Sequence, residues 1–196
     1  METTTLSFAN LHQHGELFAN MLRARKRSFI ERRKWDLPIS MGMEYDQYDT
    51  PASRWVVVHD ENGDVLAGTR LTPTTAKCGI YTYMIRDAQR GLLDTIPQNL
   101  LWEEAPVHET EWESSRLFVH DKIPASERKG VYIRLVLELR KAARDLGATR
   151  CVALLSVALP RLIRRQGVIM TPIGPAVMID GTLNNVVSMD LAYGRA

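Results

Sequence analysis

Cysteine is scarce in this sequence of 196 residues, which contains only Cys78 and Cys151. Two thiols so far apart have neither the paired spacing of a structural zinc site nor the density of a disulfide scaffold. We therefore expect both cysteines to be reduced and to take no part in the chemistry. No other motif in the sequence predicts a metal site.

Long hydrophobic runs are also missing. The longest, such as the stretch 152–159, are far shorter than the ~20 apolar residues that a membrane-spanning helix requires. No basic segment followed by an apolar one opens the chain, as it would in a secretory signal peptide. These absences predict a cytoplasmic protein without a membrane span.

A strong excess of one charge is absent too, because 25 lysines and arginines face 23 carboxylates and leave a formal net charge of +2. The exception is local, since arginine and lysine crowd the segment 23–34. Such runs occur in nucleic-acid-binding patches. DNA-binding proteins are usually more basic overall, so we favour a solvated helix face with one or two functional arginines and expect no nucleic-acid partner.

The length fits a single domain, which we predict across 1–196. In the N-terminal half, apolar residues at helical spacing predict one helix or two short ones between 11 and 33. A loop rich in carboxylates follows to residue 53. Two β-branched runs, 54–60 and 64–71, flank Asn62-Gly63 and predict a β-hairpin.

The C-terminal half alternates between apolar runs of strand length and stretches of helical spacing. Glycines at 147 and 167 are placed to end two of the predicted helices. This alternation after an antiparallel start predicts an α/β (α+β) fold with a mixed central sheet and helices on both faces. The expected elements are helices at 83–93, 127–146 and 159–166, and strands at 111–120, 149–157, 176–180 and 184–191.

Charged and aromatic residues spaced across the first two thirds of the chain form its most informative pattern. They lie in the segments RARKRSFIERRKW (23–35), MEYDQYD (43–49), AGTRLTPTT (67–75) and WESSRLFV (112–119). The combination resembles the signature of the acyl-homoserine lactone synthases, the LuxI-type autoinducer synthase family. The residues that carry the resemblance are Arg25, Phe29, Trp35, Glu44, Asp46, Asp49, Arg70, Glu113 and Arg116.

The resemblance implies a three-layer αβα sandwich related to the GNAT N-acyltransferases. It also implies a reaction in which the α-amine of S-adenosylmethionine attacks a thioester of acyl carrier protein or acyl-coenzyme A. The methionine carboxylate then closes onto its own γ-carbon, which releases methylthioadenosine and the lactone. S-adenosylmethionine is a substrate here, and we expect no cofactor and no metal.

Deprotonation of the amine is the first chemical requirement, because a free α-amine has a pKa of ~7.7–8.0. We assign Glu113 as the general base, while a structural ion pair with Arg116 is the alternative reading of its spacing. The family implies a catalytic set of Glu113, Arg116 and Arg70. In a regular strand Glu113 and Arg116 would point to opposite faces, unless a bulge at Ser114-Ser115 re-aims one of them.

Substrate-binding residues follow from the same resemblance. Phe29 and Trp35 would offer ring faces to the sulfonium, although two aromatics near a helix end are more often core residues. Arg25 would contact the carboxylate of S-adenosylmethionine, and Asp46 and Asp49 would join the charged cluster that holds the loop over the site.

The acyl chain and its carrier need different surfaces. Ala153 stands where family members that make 3-oxo products often carry threonine, which favours an unsubstituted or otherwise different acyl group. A basic surface would attract an acidic carrier protein or the phosphates of coenzyme A. The predicted acyl pocket consists of Leu117, Phe118, Val119, Ala153 and Leu155, and the predicted carrier-docking surface of Arg150, Arg161, Arg164 and Arg165.

Two other functions remain as alternatives. A GNAT-like N-acyltransferase acting on another amine would cradle pyrophosphate with an R/Q-x-x-G-x-G/A turn, but the corresponding stretch ERKGVY (127–132) keeps only the central glycine. A basic nucleic-acid-binding regulatory module would use the segment 23–34. It would leave Asp46, Asp49 and Glu113 unexplained.

Overall fold

The computed structural model describes residues 1–191, which fall into two compact units. The first unit comprises residues 1–71 and 116–142, and the second comprises residues 72–115 and the chain from residue 143 onward. The strands are β1 (Glu2–Leu6), β2 (Ile39–Ser40), β3 (Met43–Glu44), β4 (Arg54–His59), β5 (Val65–Pro73), β6 (Glu111–Val119), β7 (Arg150–Ser156), β8 (Met170–Pro172), β9 (Val177–Ile179) and β10 (Thr182–Asp190). The helices are α1 (Leu17–Lys26), α2 (Met84–Gln89), α3 (Ala125–Asp145) and α4 (Leu159–Ile163), with a π-helix at Arg27–Arg32 and 3₁₀ turns at Leu11–Gln13 and Arg164–Gln166.

The strand order in the first unit is β1-β4-β5-β6. Strand β4 is antiparallel to both β1 and β5. Asp60 closes the turn between β4 and β5, because its side chain accepts the backbone N–H groups of Asn62 and Asp64. Gly63 in the same turn has a φ of 80°, which glycine adopts without strain. The predicted hairpin is confirmed.

An aromatic core fixes the helices of the first unit. Trp55 on β4 is fully buried, and the ring of Phe18 lies 4.7 Å from it. Phe118 on β6 packs over Gly68, where a Cβ would come within 3.0 Å of the Phe118 ring. Phe29 of the π-helix meets Phe118 edge-on at 6.0 Å. Burying one such ring stabilises the fold by about 1.5–3 kcal/mol, so these contacts anchor α1 and the π-helix.

The strand order in the second unit is β6-β7-β10-β8, and β9 also pairs with β10. Strands β6 and β7 are parallel from Glu111 opposite Arg150 to Ser114 opposite Ala153, whereas β10 is antiparallel to its neighbours. A parallel pair requires a crossover connection, which α3 supplies. The predicted mixed sheet is therefore confirmed.

Most elements lie close to where the sequence predicted them. Gly147 and Gly167 follow their helices with φ values of 82° and 70°, as expected for C-terminal stops. The predicted N-terminal helix is divided into a 3₁₀ turn, α1 and a π-helix. Strands β1, β2, β3 and β8 were not predicted. Strands β5 and β6 and helix α3 each contribute residues to both units, and the single domain across 1–196 stays a prediction.

Candidate active site

Six side chains of the first unit form a buried charge cluster. They come from five places in the chain: α1, β3, the turn that follows β3, β5 and β6. Their side chains are between 0% and 10% exposed. Five of them had been predicted as site residues from the sequence. The members are Arg25, Glu44, Asp46, Asp49, Arg70 and Arg116.

Asp49 is the centre of this cluster. Its Oδ1 accepts Arg25 Nη1 at 2.7 Å and the indole N–H of Trp55 at 3.0 Å, and Arg70 Nη1 lies 3.1 Å away. Its Oδ2 accepts Arg25 Nη2 at 3.0 Å and the backbone N–H of Asp46 at 2.9 Å. Every lone pair that faces the protein is therefore used, which fixes the turn 46–49 against α1 and β4.

Asp46 and Glu44 connect Arg116 to the same cluster. Asp46 accepts Arg70 Nη1 at 2.5 Å and pairs with Arg116 Nη2 at 2.8 Å. Glu44 accepts the Nε–H of Arg25 at 2.5 Å and the Nε–H of Arg116 at 3.1 Å. The loop that carries these carboxylates is thus fastened to three separate elements by charged hydrogen bonds.

The charges of the cluster balance, with three guanidinium groups and three carboxylates. Burial alone would raise the pKa of Asp49, but Arg70 and Arg25 outweigh it and hold that pKa below its usual range. Burial would also raise the pKa of Asp46, but the charges of Arg70 and Arg116 outweigh burial and lower that pKa. Burial would lower the pKa of Arg25, but Asp49 and Glu44 raise it above its ordinary value. Arg25, Asp46 and Asp49 are therefore charged at neutral pH.

Arg116 reaches the cluster because β6 is irregular. Arg116 has a φ of 54°, a left-handed conformation that is uncommon for a residue other than glycine. The register of β6 on β7 runs only to Ser114 opposite Ala153, although β7 continues to Ser156. The departure from regular strand geometry lies at Arg116 itself, directly after the Ser114-Ser115 pair where a bulge was one of the two expected arrangements.

Glu113 lies in the second unit and has a different environment. It is fully buried, and its Oε1 accepts the backbone N–H of Ile85 at 2.7 Å while its Oε2 accepts that of Met84 at 3.2 Å. These two residues begin α2, so the carboxylate satisfies N–H groups that a helix start leaves without intrahelical partners. Glu113 therefore anchors α2, which sequence reasoning missed.

The two predicted aromatic residues lie together. Phe29 and Trp35 are stacked, with ring centroids 5.2 Å apart and planes 11° from parallel. Phe29 is buried, whereas Trp35 is partly exposed. The guanidinium carbon of Arg33 lies 5.2 Å from both ring centroids, and that of Arg116 lies 5.7 Å from Phe29. The pair thus adjoins the charge cluster and already accommodates cations.

The predicted acyl-pocket residues do not share one packing cluster. Phe118 belongs to the aromatic core of the first unit. Ala153 and Leu155 pack with Val187 in the second unit. Leu117 and Val119 are partly exposed on β6. Their assignment to an acyl pocket stays a prediction.

The predicted carrier-docking arginines differ in exposure. Arg161, Arg164 and Arg165 are exposed on α4 and the 3₁₀ turn after it, and none of them forms an ion pair within residues 1–191. Arg150 instead donates to Ser188 Oγ at 2.7 Å and to Glu111 at 3.2 Å. It lines a cavity of about 590 Å³ with Glu111, Thr149, Gly167, Ile169, Thr171, Ser188 and Asp190.

Two roles escaped the sequence pattern. Trp55 donates to Asp49, and the ring of Tyr48 lies 5.5 Å from the Arg70 guanidinium carbon. Neither residue has a spacing that distinguishes it from an ordinary core residue.

Within residues 1–191 no group of three or more histidine, cysteine, aspartate or glutamate side chains is arranged to hold a metal ion. No helix in that range has the length and apolar character to cross a membrane.

Comparison with known proteins identifies the family of this chain. The autoinducer synthase family model matches residues 9–193. The acyl-homoserine-lactone synthase of Aeromonas hydrophila is 30% identical over 195 residues, covering 94% of this chain and 86% of the relative. The crystal structure of TofI, in a ternary complex with an inhibitor and MTA, is 26% identical with a TM-score of 0.78, covering 97% of this chain and 92% of TofI.

The fold is also shared outside these synthases. An acyl-CoA N-acyltransferase from Pseudomonas aeruginosa has a TM-score of 0.61 at 17% identity, covering 96% of this chain and 99% of that one. At that identity the likeness shows the fold alone, and it confirms the predicted GNAT-like α/β fold. Because the family match spans nearly the whole chain, this chain belongs to the autoinducer synthase family, and it is an acyltransferase of the acyl-homoserine-lactone synthase type.

Proposed function

We propose that this enzyme makes an N-acyl-L-homoserine lactone, a quorum-sensing signal, from S-adenosylmethionine and an acyl thioester. One observation carries the proposal: signature residues far apart in sequence, from Arg25 to Arg116, converge in a single charge-balanced cluster. The cluster adjoins the stacked pair of Phe29 and Trp35. A sulfonium substrate suits such a pair, since a cation near an aromatic face gains roughly 0.5–2 kcal/mol.

S-adenosylmethionine binds, in this proposal, against the loop that the charge cluster holds. Arg25, Asp46 and Asp49 act by fixing that loop, because their charged atoms are already engaged with one another. Arg70 fixes Asp46 from β5 in the same way. Arg116, which is the most exposed member, orients the substrate beside Phe29.

The first step is amide formation. The substrate amine gives a proton to Glu113, directly or through one water, and attacks the thioester carbonyl carbon. The carbon–sulfur bond breaks, and the departing thiolate takes up the proton. We place the thioester near Ser114, where the pairing of β6 with β7 ends, so that backbone N–H groups of the strand polarise the carbonyl.

The second step is lactone formation. A carboxylate oxygen of the acylated methionine attacks its own γ-carbon, the bond from that carbon to the sulfonium breaks, and methylthioadenosine leaves. No redox change occurs, and the proposal requires no cofactor or metal.

The thioester is delivered by acyl carrier protein or by coenzyme A. The exposed arginines of α4 and the following 3₁₀ turn form a basic surface that an acidic carrier would be steered to. Arg150 adjoins this surface from its cavity with Glu111. We also propose a cytoplasmic location.

A substrate panel tests the function. Purified enzyme is given S-adenosylmethionine with acyl-carrier-protein and acyl-coenzyme A thioesters of several chain lengths, and products are identified by mass spectrometry. We expect methylthioadenosine and a lactone in equal amounts, only when a thioester is present. Absence of turnover with every thioester would overturn the proposal. Acylation of an added amine without methylthioadenosine would favour a general N-acyltransferase.

A nucleic-acid-binding function has less support from the structure. Arg25 is buried in the charge cluster, Lys26 pairs with Glu31 at 2.7 Å, and Arg23 pairs with Glu16 at 3.3 Å. The basic run is therefore partly neutralised by neighbouring carboxylates. It does not present a continuous basic face.

A further inference from the structure

A second concave site lies in the first unit, apart from the signature residues. Its volume is about 600 Å³. The π-helix contributes residues from its first and last turns, and the segment directly after β6 contributes the rest. The lining residues are Arg27, Glu31, Arg32, His120, Asp121 and Lys122, which we call the Arg27 cavity.

The cationic side chains that line the Arg27 cavity outnumber its carboxylates by three to two. Within residues 1–191, neither Arg27 nor Arg32 forms an ion pair, and Arg27 Nη1 lies 3.5 Å from the imidazole Nε2 of His120. Glu31 is already paired with Lys26. Two guanidinium groups from one helix therefore line the cavity with the carboxylates of Glu31 and Asp121, and Arg27 interacts with Glu31 electrostatically without forming an ion pair.

The pKa of His120 depends on the charges that line this cavity. It is only 5% exposed, and its Nδ1 lies 3.0 Å from the backbone nitrogen of Lys122 and 2.9 Å from Asp121 Oδ1. Burial lowers the pKa of His120, and Arg27 and Lys122 lower it further against the opposing effect of Asp121 and Asp64. An anion bound between the arginines would have the reverse effect and would raise the pKa.

We propose that the Arg27 cavity binds the phosphate of the pantetheine-bearing thioester donor, an inference that rests on the proposed function. General GNAT enzymes hold pyrophosphate with the backbone of an R/Q-x-x-G-x-G/A turn, which this chain lacks at 127–132. Side chains must then supply the hydrogen-bond donors that hold the phosphate. Arginine suits this task, because its planar fork binds two phosphate oxygens at once.

The position of the cavity fits an extended pantetheine arm. His120 follows Arg116 by four residues, which span at most roughly 13 Å of extended chain. Phe29, whose ring Arg116 overlies, lies between Arg27 and Arg32 on the π-helix. The pantetheine arm would therefore run along β6 and the π-helix, with its phosphate in the Arg27 cavity and its thioester beside the charge cluster.

Kinetics of a double variant test the proposal. Arg27→Gln combined with Arg32→Gln should raise the KM for acyl-coenzyme A, or for acyl carrier protein if that is the donor, by roughly 10- to 100-fold. The KM for S-adenosylmethionine should not change, and neither should turnover of an acyl-pantetheine that lacks phosphate. Arg23→Gln is the matched control, because this exposed arginine on α1 pairs with Glu16 outside the cavity.

A binding measurement separates this inference from the proposed function. Coenzyme A is titrated into the wild-type protein while the imidazole resonances of His120 are followed by NMR over a range of pH. We expect the pKa of His120 to rise with coenzyme A and to stay constant with pantetheine. This result does not depend on turnover, so it decides the site even if every thioester fails as a substrate.

The outcomes are distinct. An effect on coenzyme A alone identifies its phosphates as the ligand, and an equal effect on the carrier-protein donor identifies the phosphopantetheine phosphate that both share. An equal loss with acyl-pantetheine would show a structural defect and would overturn the proposal. Unchanged donor KM in the double variant together with an unchanged His120 pKa would overturn it as well.

Discussion

Replacement of Asp49 by asparagine is the sharpest test of the buried charge cluster. Asp49 receives N–H groups from Arg25, Trp55 and the backbone of Asp46, and Arg70 lies within ion-pair distance. Asparagine has nearly the same shape but offers one acceptor oxygen and one NH₂ group. Asp49→Asn therefore brings donors face to face and leaves three guanidinium groups with two carboxylates.

The expected loss of stability is large. Removal of one partner from a buried ion pair costs about 3–5 kcal/mol in free energy of unfolding, because the remaining charges stay buried without compensation. At roughly 2–4 °C per kcal/mol for a chain of this size, Tm should fall by about 6–20 °C. Glu16→Gln is the control, since the Arg23–Glu16 pair is 51% and 76% exposed and should contribute no more than about 1 kcal/mol.

The pH dependence gives a second measurement on the same pair of proteins. The pKa of Asp49 is lowered in the folded state, so its stabilisation is complete above the unfolded-state pKa of about 3.9 and is lost as pH falls through the folded-state pKa. The stability difference between wild type and Asp49→Asn should therefore be constant near neutral pH and shrink below about pH 4.

Urea unfolding followed by circular dichroism measures both quantities. A loss in Asp49→Asn no larger than that in Glu16→Gln would refute the inference that the cluster holds the loop. A stability difference that does not change with acid would refute the assignment of the effect to an ionised Asp49.

Three further predictions concern activity. Glu113→Gln should retain the fold with a stability loss of about 1–3 kcal/mol, because its new NH₂ group must face a backbone N–H. The same variant should lower kcat by a factor of ~10²–10⁴. Near-normal turnover would remove Glu113 from the proton transfer. Trp35→Ala should raise the KM for S-adenosylmethionine by roughly 2- to 30-fold in steady-state assays and leave the KM for the thioester unchanged, since only the sulfonium is expected to meet the ring. Joint replacement of Arg161, Arg164 and Arg165 by glutamine should raise the KM for a carrier-protein thioester and weaken its dependence on salt, whereas an unchanged KM would show that the carrier docks elsewhere.

The parts of the fold that the sequence predicts are those with a local cause. The hairpin β4–β5 follows from Asn62-Gly63 between two β-branched runs, and Gly147 and Gly167 end helices because only they adopt the required φ easily. Strand β1 has no such local signal. It carries three threonines in a row and pairs with β4, whose residues lie far away in the sequence, from Trp55 opposite Leu6 to His59 opposite Glu2.

The candidate site shows the same division. Membership of the charge cluster could be predicted, because the resemblance picks out its charged residues one by one. The indole of Trp55 could not, since its contact with Asp49 depends on how β4 packs against the loop. The hydrogen bonds from the start of α2 to Glu113 join residues 28 and 29 positions apart, and no periodicity links them.

The geometry also separates residues that hold the site from those that can meet a substrate. The guanidinium of Arg25 is 1% exposed and is bound by Glu44 and Asp49, so it could bind a substrate carboxylate only by giving up one of them. Such an exchange would leave a buried carboxylate without a partner, at a cost of several kcal/mol. Arg116 is more exposed and already overlies Phe29. We therefore propose that Arg116 and the aromatic pair contact the substrate, while Arg25 acts through the loop that it fastens.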